Sequence, residues 1–196
     1  MLKEPRPGRA KTRLGAGIGM VPAAWWYRHQ ALGLLRRVRD PRWETWIAVA
    51  PDAEGLASRV WPGDLPRMAQ GRGDLGARMG RLLRAMPPGP VCIIGGDIPD
   101  LSREHVARAF EALGACDAVF GPAEDGGYWL VGLRRTGAVP AGIFQDVRWS
   151  TGDALSDSIA SLGRARIALA DTLRDVDDAD DLVRVTAGRR RAICRA

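Results

Sequence analysis

Several things are scarce in this sequence, and each scarcity narrows its class. Lysine occurs only twice, at Lys3 and Lys11; the rest of the 29 basic residues are arginine. Those arginines are spread along alanine- and glycine-rich stretches, so the net charge of +6 reads as composition and not as a nucleic-acid footprint. Arg189, Arg190, Arg191 and Arg195 make a basic tail, which reads as a solvated end. Cys92, Cys116 and Cys194 are odd in number, far apart and without a CxxC pair, so neither a disulfide framework nor a zinc site is expected. No apolar run reaches the ~18 residues of a membrane span, and no secretory signal opens the chain. A cytoplasmic protein is expected. With 196 residues, 46% hydrophobic and 27% charged, the chain suits one soluble domain over residues 1–196.

What is present is organised around VCIIGGDIPDL, Val91 to Leu101. Four residues suited to a buried strand run into Gly95, Gly96 and then a single carboxylate, Asp97. A continuous apolar run with a glycine stop predicts a parallel strand covered on both faces. In open α/β sheets ligands sit beyond the carboxyl ends of such strands, which is where Asp97 falls. It reads either as a metal ligand or as a cap for its own loop.

The amino-terminal stretch KEPRPGRAKTRL, Lys3 to Leu14, is dense in charge. Lys3, Arg6, Arg9, Lys11 and Arg13 against Glu4 give +4. Pro5, Pro7 and Gly8 predict an irregular loop. A glycine-bearing basic loop suits a phosphate or diphosphate: backbone N–H groups cradle oxygens and lysine supplies a point charge. It is not a P-loop, because Ala10 stands where that motif needs glycine before the lysine.

Strands and helices then alternate. Helical spacing runs from about Pro22 to Arg39, with the adjacent Trp25 and Trp26 pointing in different directions, one into the core and one to an edge or a partner surface. WIAVA, Trp46 to Ala50, predicts a strand, followed by a short helix to about Val60 and a turn region from Pro62 to Pro66. In QGRGDLGARMGRLL a glycine-rich loop enters a helix capped by Asp74, with Leu75, Met79, Leu82 and Leu83 inward. Ser102 caps the next helix, with Val106, Ala109, Phe110 and Leu113 as its stripe and His105 at the surface. DAVFG predicts another strand. GPAEDGGYWLVGL, Gly121 to Leu133, reads either as a polar-ligand loop with Glu124 and Asp125 beside Gly126 and Gly127, or as a plain Asp-Gly turn. Ser150 and Asp153 match a capping box for a helix with Leu155, Ile159 and Leu162 inward. RIALA predicts the last strand. Asp171 to Asp181 then holds six aspartates and one arginine, a local charge of −5 that needs a cation, a helix start or open solvent. Asp177 or Asp178 suits the cap of a final helix to about Ala187. Asp175 and Asp177 fall on one side of an extended segment, and with Asp97 they suit Mg²⁺ or Mn²⁺, hard cations that prefer oxygen.

KEPRPGRAKTRL, QGRGDLGARM, GGDIPDL, GPAEDGGYWLVGL, VRWST and DVDDADDL follow one another in the order and spacing of a bacterial family. Over nearly its whole length the chain resembles the GT-A-type glycosyltransferase family of unknown function, DUF2064, often described as arsenosugar-biosynthesis glycosyltransferases, within the nucleotide-diphospho-sugar transferase superfamily. The resemblance implies a three-layer α/β/α fold with a mixed Rossmann-like sheet. It also implies a metal-dependent transferase that moves a sugar from a nucleotide diphosphate to a small acceptor. Gly8, Lys11 and Arg13 would face the phosphates; Gly73, Asp74 and Gly96 would lie near the nucleotide. Asp97, Asp175 and Asp177 would hold Mg²⁺ or Mn²⁺. Asp125, Gly126 and Gly127 would line the acceptor pocket, with Asp125 as candidate base and Lys11 as catalytic cation. The same residues suit a guanylyltransferase-like nucleotidyltransferase using a nucleoside triphosphate, and a non-catalytic nucleotide-binding protein is a third reading. Base, sugar, acceptor, stereochemical outcome and oligomeric state are not specified by these motifs.

Two departures stand out. The family's late motif reads D-x-D-T-x-E-D-L, and here Asp178 and Asp180 replace its Thr and Glu, which keeps helix-start chemistry. Family members also begin with an apolar strand before the basic loop, of which Met1 and Leu2 remain. The expectation is therefore a truncated first strand and a natural chain that starts upstream of Met1.

Overall fold

A computed structural model describes residues 1–193, with side chains through Ala187. The side chains of Arg189, Arg190 and Arg191, together with Cys194 and Arg195, lie outside the described residues.

Two sheets carry the fold. The larger has the order β4–β6–β5–β7, formed by Val91–Ile94 (β4), Ala118–Pro122 (β5), Tyr128–Leu133 (β6) and Ile167–Leu169 (β7). β6 is antiparallel to both β4 and β5, and β7 is parallel to β5, so β4, β5 and β7 all run one way. Alternation along β5 and β6, interrupted at Trp129 by a register shift opposite Gly121 and Pro122, sends side chains to opposite faces, and the two faces build separate cores. Val119, Trp129 and Leu130 pack with Leu34 and Val38 of helix α2 (Met20–Arg37) and with Val106, Ala109 and Leu113 of α5 (Arg103–Ala115). Ala118, Phe120, Val131 and Leu133 pack on the other face with Met79 and Leu83 of α4 (Leu75–Ala85), joined by Leu155 and Ile159 from the α6 segment (Ala154–Ala160). Helices on both sides of a mixed sheet make three layers, α/β/α.

The smaller sheet is parallel throughout, in the order β1–β2–β3: Leu2–Lys3 (β1), Ile47–Ala50 (β2) and Arg67–Ala69 (β3). β1 is only two residues long. Its start reaches the larger sheet, where the Met1 ammonium donates to the Ile94 carbonyl at 2.6 Å. Burial lowers the pKa of that ammonium to about 6, against the opposing pull of Asp97. Beyond Met1 the sheets part around an apolar groove of about 810 Å³, walled by Ile47, Met68, Val91 and Ile93 and floored by Leu2 and Leu34. Among the described residues β4 therefore has a partner strand on only one side.

Several expectations change at this level. β4 is not a parallel strand covered on both faces: it pairs antiparallel with β6, and its four residues are half-buried along the groove. The loop from Lys3 to Leu14 is not irregular throughout, because helix α1 (Thr12–Ile18) starts inside it once the two prolines are passed. β3 falls in a stretch where no strand is expected, since three residues carry too little pattern to read. The short helix α3 spans Asp52–Leu56, stopping before Val60. Leu75 is exposed, because it stands in the first turn of α4, outside the stripe of Met79, Leu82 and Leu83. Ser150 does not cap α6; it sits at φ 62°, and the Thr151 hydroxyl accepts the Asp153 N–H at 3.2 Å instead. Asp153 turns outward to pair with Arg148 at 2.8 Å. His105 is half-buried and caps its own helix, its Nδ1 accepting the Ser102 N–H at 3.2 Å. Trp26 packs near Leu14, whereas Trp25 is exposed and stacks on His29 with ring centres 4.0 Å apart.

Candidate functional site

Within the larger sheet β4, β5 and β7 run the same way, so the connections after them emerge at one edge, and the loop after β1 meets that edge through Lys11. Those connections carry Lys11, Asp97, Asp125 and the Asp175–Asp177 segment. What brings the last of these into place is an apolar anchor. In Asp175-Val176-Asp177 the valine is fully buried against Leu14 and Ala23. Its N–H donates to the Asp97 carbonyl at 3.2 Å. With Val176 inward, extended alternation turns both flanking carboxylates away from the core and toward Asp97.

Lys11 sits at the centre of this cluster. It has left-handed backbone (φ 50°, ψ 50°) just ahead of α1, and its side chain is only 9% exposed. Its ammonium pairs with Asp97 and, at 2.6 Å, with Asp177 Oδ1. Burial works against that charge, but Asp97 and Asp177 outweigh it and raise the Lys11 pKa. Arg13 holds the other Asp177 oxygen from the solvent side. For Asp177 burial pushes upward, while Lys11 and then Arg13 pull its pKa below the ordinary range. Among the described residues Asp175 makes no ion pair of this kind: burial first, then the charges of Asp177, Asp125 and Asp97, push its carboxyl up to about 6 against the pull of Lys11.

Among the described residues no three His, Cys, Asp or Glu side chains are already gathered as a metal cage. The donor set nevertheless fits a hard divalent cation. It is oxygen only, and an ammonium already stands as a cation between two of its carboxylates. Asp97, Asp175 and Asp177 are the residues that would hold the ion.

The other expected residues divide into those around this centre and those absorbed by the fold. Gly8 has φ 73° and nothing within 4 Å of where a Cβ would be, so the space beside its backbone is open. Asp125 is exposed; its Oδ1 accepts the Gly127 N–H at 2.9 Å and its charge reaches Asp175. Gly126, at φ 86°, lies so close to the Gly152 backbone that a Cβ would come within 2.3 Å of the Gly152 oxygen. Gly127 would bring a Cβ to 3.1 Å from Asp125 Oδ1. Gly96 packs against β1, since a Cβ there would come within 2.3 Å of Leu2 Cδ2 and force that side chain to shift. Asp74 spends Oδ1 on the Ala77 N–H at 2.8 Å as a helix cap, and Gly73, at φ 104°, leads into that cap. Cys92 takes no part in the cluster; burial raises its thiol to about 12.

Three contributors carry no readable signal. Tyr27 looks like one more apolar position on α2, yet its hydroxyl accepts the Lys3 N–H at 3.0 Å and lies beside Asp97; burial and then Asp97 push its pKa up. Buried Gln70 ties β1 to β2 by donating to the Leu2 and Ala48 carbonyls at 3.1 and 2.9 Å. Arg174 pairs with Glu124 and so joins the loops after β5 and β7. Only adjacency to the aspartate run marks it in the sequence.

The chain resembles known proteins over most of its length. A protein from Desulfovibrio desulfuricans G20, proposed to be a nucleotide-diphospho-sugar transferase, is 31% identical with a TM-score of 0.82, over 92% of this chain and 81% of that one. A 4-diphosphocytidyl-2C-methyl-D-erythritol synthase from Anaerococcus prevotii DSM 20548 shares the fold at 12% identity, TM-score 0.57, over 84% and 86% of the two chains. A Mycobacterium tuberculosis H37Rv protein in complex with manganese does so at 17% identity, TM-score 0.51, over 81% and 84%. No curated protein matches the chain. The family model of uncharacterised proteins conserved in bacteria, DUF2064, matches residues 34–151, which include Asp97 and the loop after β5. The chain belongs to this DUF2064 family and has the nucleotide-diphospho-sugar transferase fold.

Proposed function

We propose that the protein is a metal-dependent glycosyltransferase that moves a sugar from a nucleotide-diphosphate donor to a small acceptor. The observation that carries this reading is the meeting of Lys11 with Asp97 and Asp177 beside Asp175, at the edge where ligands of such folds bind. A diphosphate brings negative charge that cations must neutralise. Lys11 and Arg13 supply two of them from the open Gly8 loop, and Mg²⁺ or Mn²⁺ held by Asp97, Asp175 and Asp177 would stabilise the charge on the departing diphosphate. The relative bound to manganese supports the choice of ion through the shared fold.

In the transfer, an acceptor hydroxyl oxygen forms a bond to the sugar's anomeric carbon. The bond from that carbon to the diphosphate oxygen breaks, and the nucleoside diphosphate leaves with the electron pair. Asp125 is the base for the acceptor proton: it is exposed, and the Gly127 bond on one oxygen leaves Oδ2 to receive it. Gly126 and Gly127 shape the acceptor side, and Gly73 and Asp74 the nucleotide side. The same constellation serves nucleotidyl transfer from a triphosphate, a reading favoured by the fold shared with the erythritol synthase.

Calorimetric titration of UDP-, GDP-, ADP- and dTDP-sugars and of the free triphosphates, with and without Mn²⁺, tests both. Metal-dependent binding of one nucleotide-sugar, lost in Asp97→Ala, is expected. Nucleoside diphosphate as product supports sugar transfer, and pyrophosphate supports nucleotidyl transfer. Tight binding without turnover across an acceptor panel would leave a nucleotide-binding protein.

A further inference from the structure

The Lys11 ammonium and a divalent cation need the same carboxylate oxygens. Lys11 pairs with Asp97 and with Asp177 Oδ1 from a side chain that is 9% exposed, so it fills the space between them. Asp177 keeps Arg13 on its second oxygen, and Arg13 is 75% exposed, so Asp177 does not depend on Lys11 alone for a counter-charge. Lys11 also has reach: its ammonium ends a flexible four-carbon stem, and three residues earlier, at Gly8, nothing stands within 4 Å of a Cβ position.

We propose that Lys11 is a resident competitor for the divalent ion, released toward the donor's diphosphate when the ion takes its place between Asp97 and Asp177. The inference rests on the metal reading given above and adds a coupling to it. A metal alone must displace an ammonium from two carboxylates. A diphosphate offers that ammonium a new partner, so metal and nucleotide strengthen each other's binding, and the strengthening is reciprocal. Without Lys11 the metal binds more tightly on its own, and the nucleotide adds less.

The chain is suited to the test because its only primary amines are Lys3, Lys11 and the amino terminus. Mn²⁺ affinity is measured by electron paramagnetic resonance on wild type, Lys11→Met and Lys11→Arg, each with and without UDP or GDP, and folding is checked by circular dichroism. Lys11→Met is expected to bind Mn²⁺ alone about tenfold more tightly than wild type, with the nucleotide effect reduced by a similar factor. Lys11→Arg keeps the charge, grips carboxylates with two N–H groups and is expected to bind Mn²⁺ more weakly; it carries the test if Lys11→Met does not fold. Acylation followed by mass spectrometry is expected to show Lys11 modified faster when Mn²⁺ is added, against the exposed Lys3 as reference. Equal Mn²⁺ affinity in all three proteins, with Lys11 reactivity unchanged by metal, overturns the competition and leaves the metal site standing. Absence of Mn²⁺ binding in all three, with or without nucleotide, overturns the metal reading and this inference together.

Discussion

At the scale of the residue, the site is a problem of charge: four carboxylates converge and two cations answer them. Asp175 is the half-buried one without an ion pair among the described residues, and burial and its acidic neighbours push its pKa to about 6. The sign of its effect follows directly. Between the ordinary carboxylate value of 3.8 and about 6, the folded protein holds a proton that the unfolded chain has lost, so stability falls as pH rises through that window. Asp175→Asn removes this loss. Thermal melts from pH 4 to pH 7 should show the variant gaining on wild type as pH rises, by about 1 kcal/mol after allowance for solvent screening. A constant difference across that range would show that Asp175 titrates normally. Asp177, whose pKa lies below the ordinary carboxylate value, stays ionised across this pH range and so adds little to the difference.

At the scale of the element, the aspartates are positioned by packing and capping. α7 (Ala179–Ile193) begins with Asp178 accepting the Asp181 N–H at 3.0 Å, while Asp181 accepts the Asp177 N–H at 3.1 Å. This reciprocal cap fixes one end of the acidic segment, and Val176 fixes the other. α7 approaches α1 closely enough that a Cβ on Gly17 would stand 2.7 Å from the Ala179 Cβ. Val176→Ala should therefore cost about 2 kcal/mol, from two lost methyl groups and the cavity they leave. It should also weaken Mn²⁺ binding although the valine touches no ligand, because Asp175 and Asp177 lose their shared anchor. Denaturant melts and metal titration check the two effects separately. A loss of stability with unchanged metal affinity would show that the cap alone holds the segment.

At the scale of the molecule, the two sheets approach each other through β1 and part beyond it. The groove of about 810 Å³ exposes apolar walls, and among the described residues β4 pairs with β6 alone. A designed extension of five β-branched residues in front of Met1 would continue β1 between β2 and β4. It would also replace the buried Met1 ammonium by a peptide N–H, which removes a charge from an apolar site. Such an extension should raise the melting temperature by several degrees and reduce binding of an apolar fluorescent dye. An unchanged melt and unchanged dye binding would show that the groove does not accept a strand.

How much of this was legible depends on how far apart the determining residues lie. Strand and helix existence came from short apolar runs such as Val91 to Ile94, from helical spacing, and from caps that act over a few residues, as Asp74 on Ala77 and Asp178 on Asp181. The sequence by itself thus determined the α/β class and most of the elements, though not α1 or β3, and it supplied the basic loop and the aspartates that the site gathers. Pairing is another matter. That β4 lies against β6 and that Gly96 is reserved for Leu2 follow from contacts between segments with no mutual signal. Only the tertiary structure decided that Lys11 would fill the space between Asp97 and Asp177, a partner 166 residues away. The reason is physical: local pattern reports which face of an element is apolar, whereas the partner of a buried charge is chosen by whichever distant element packing brings within reach.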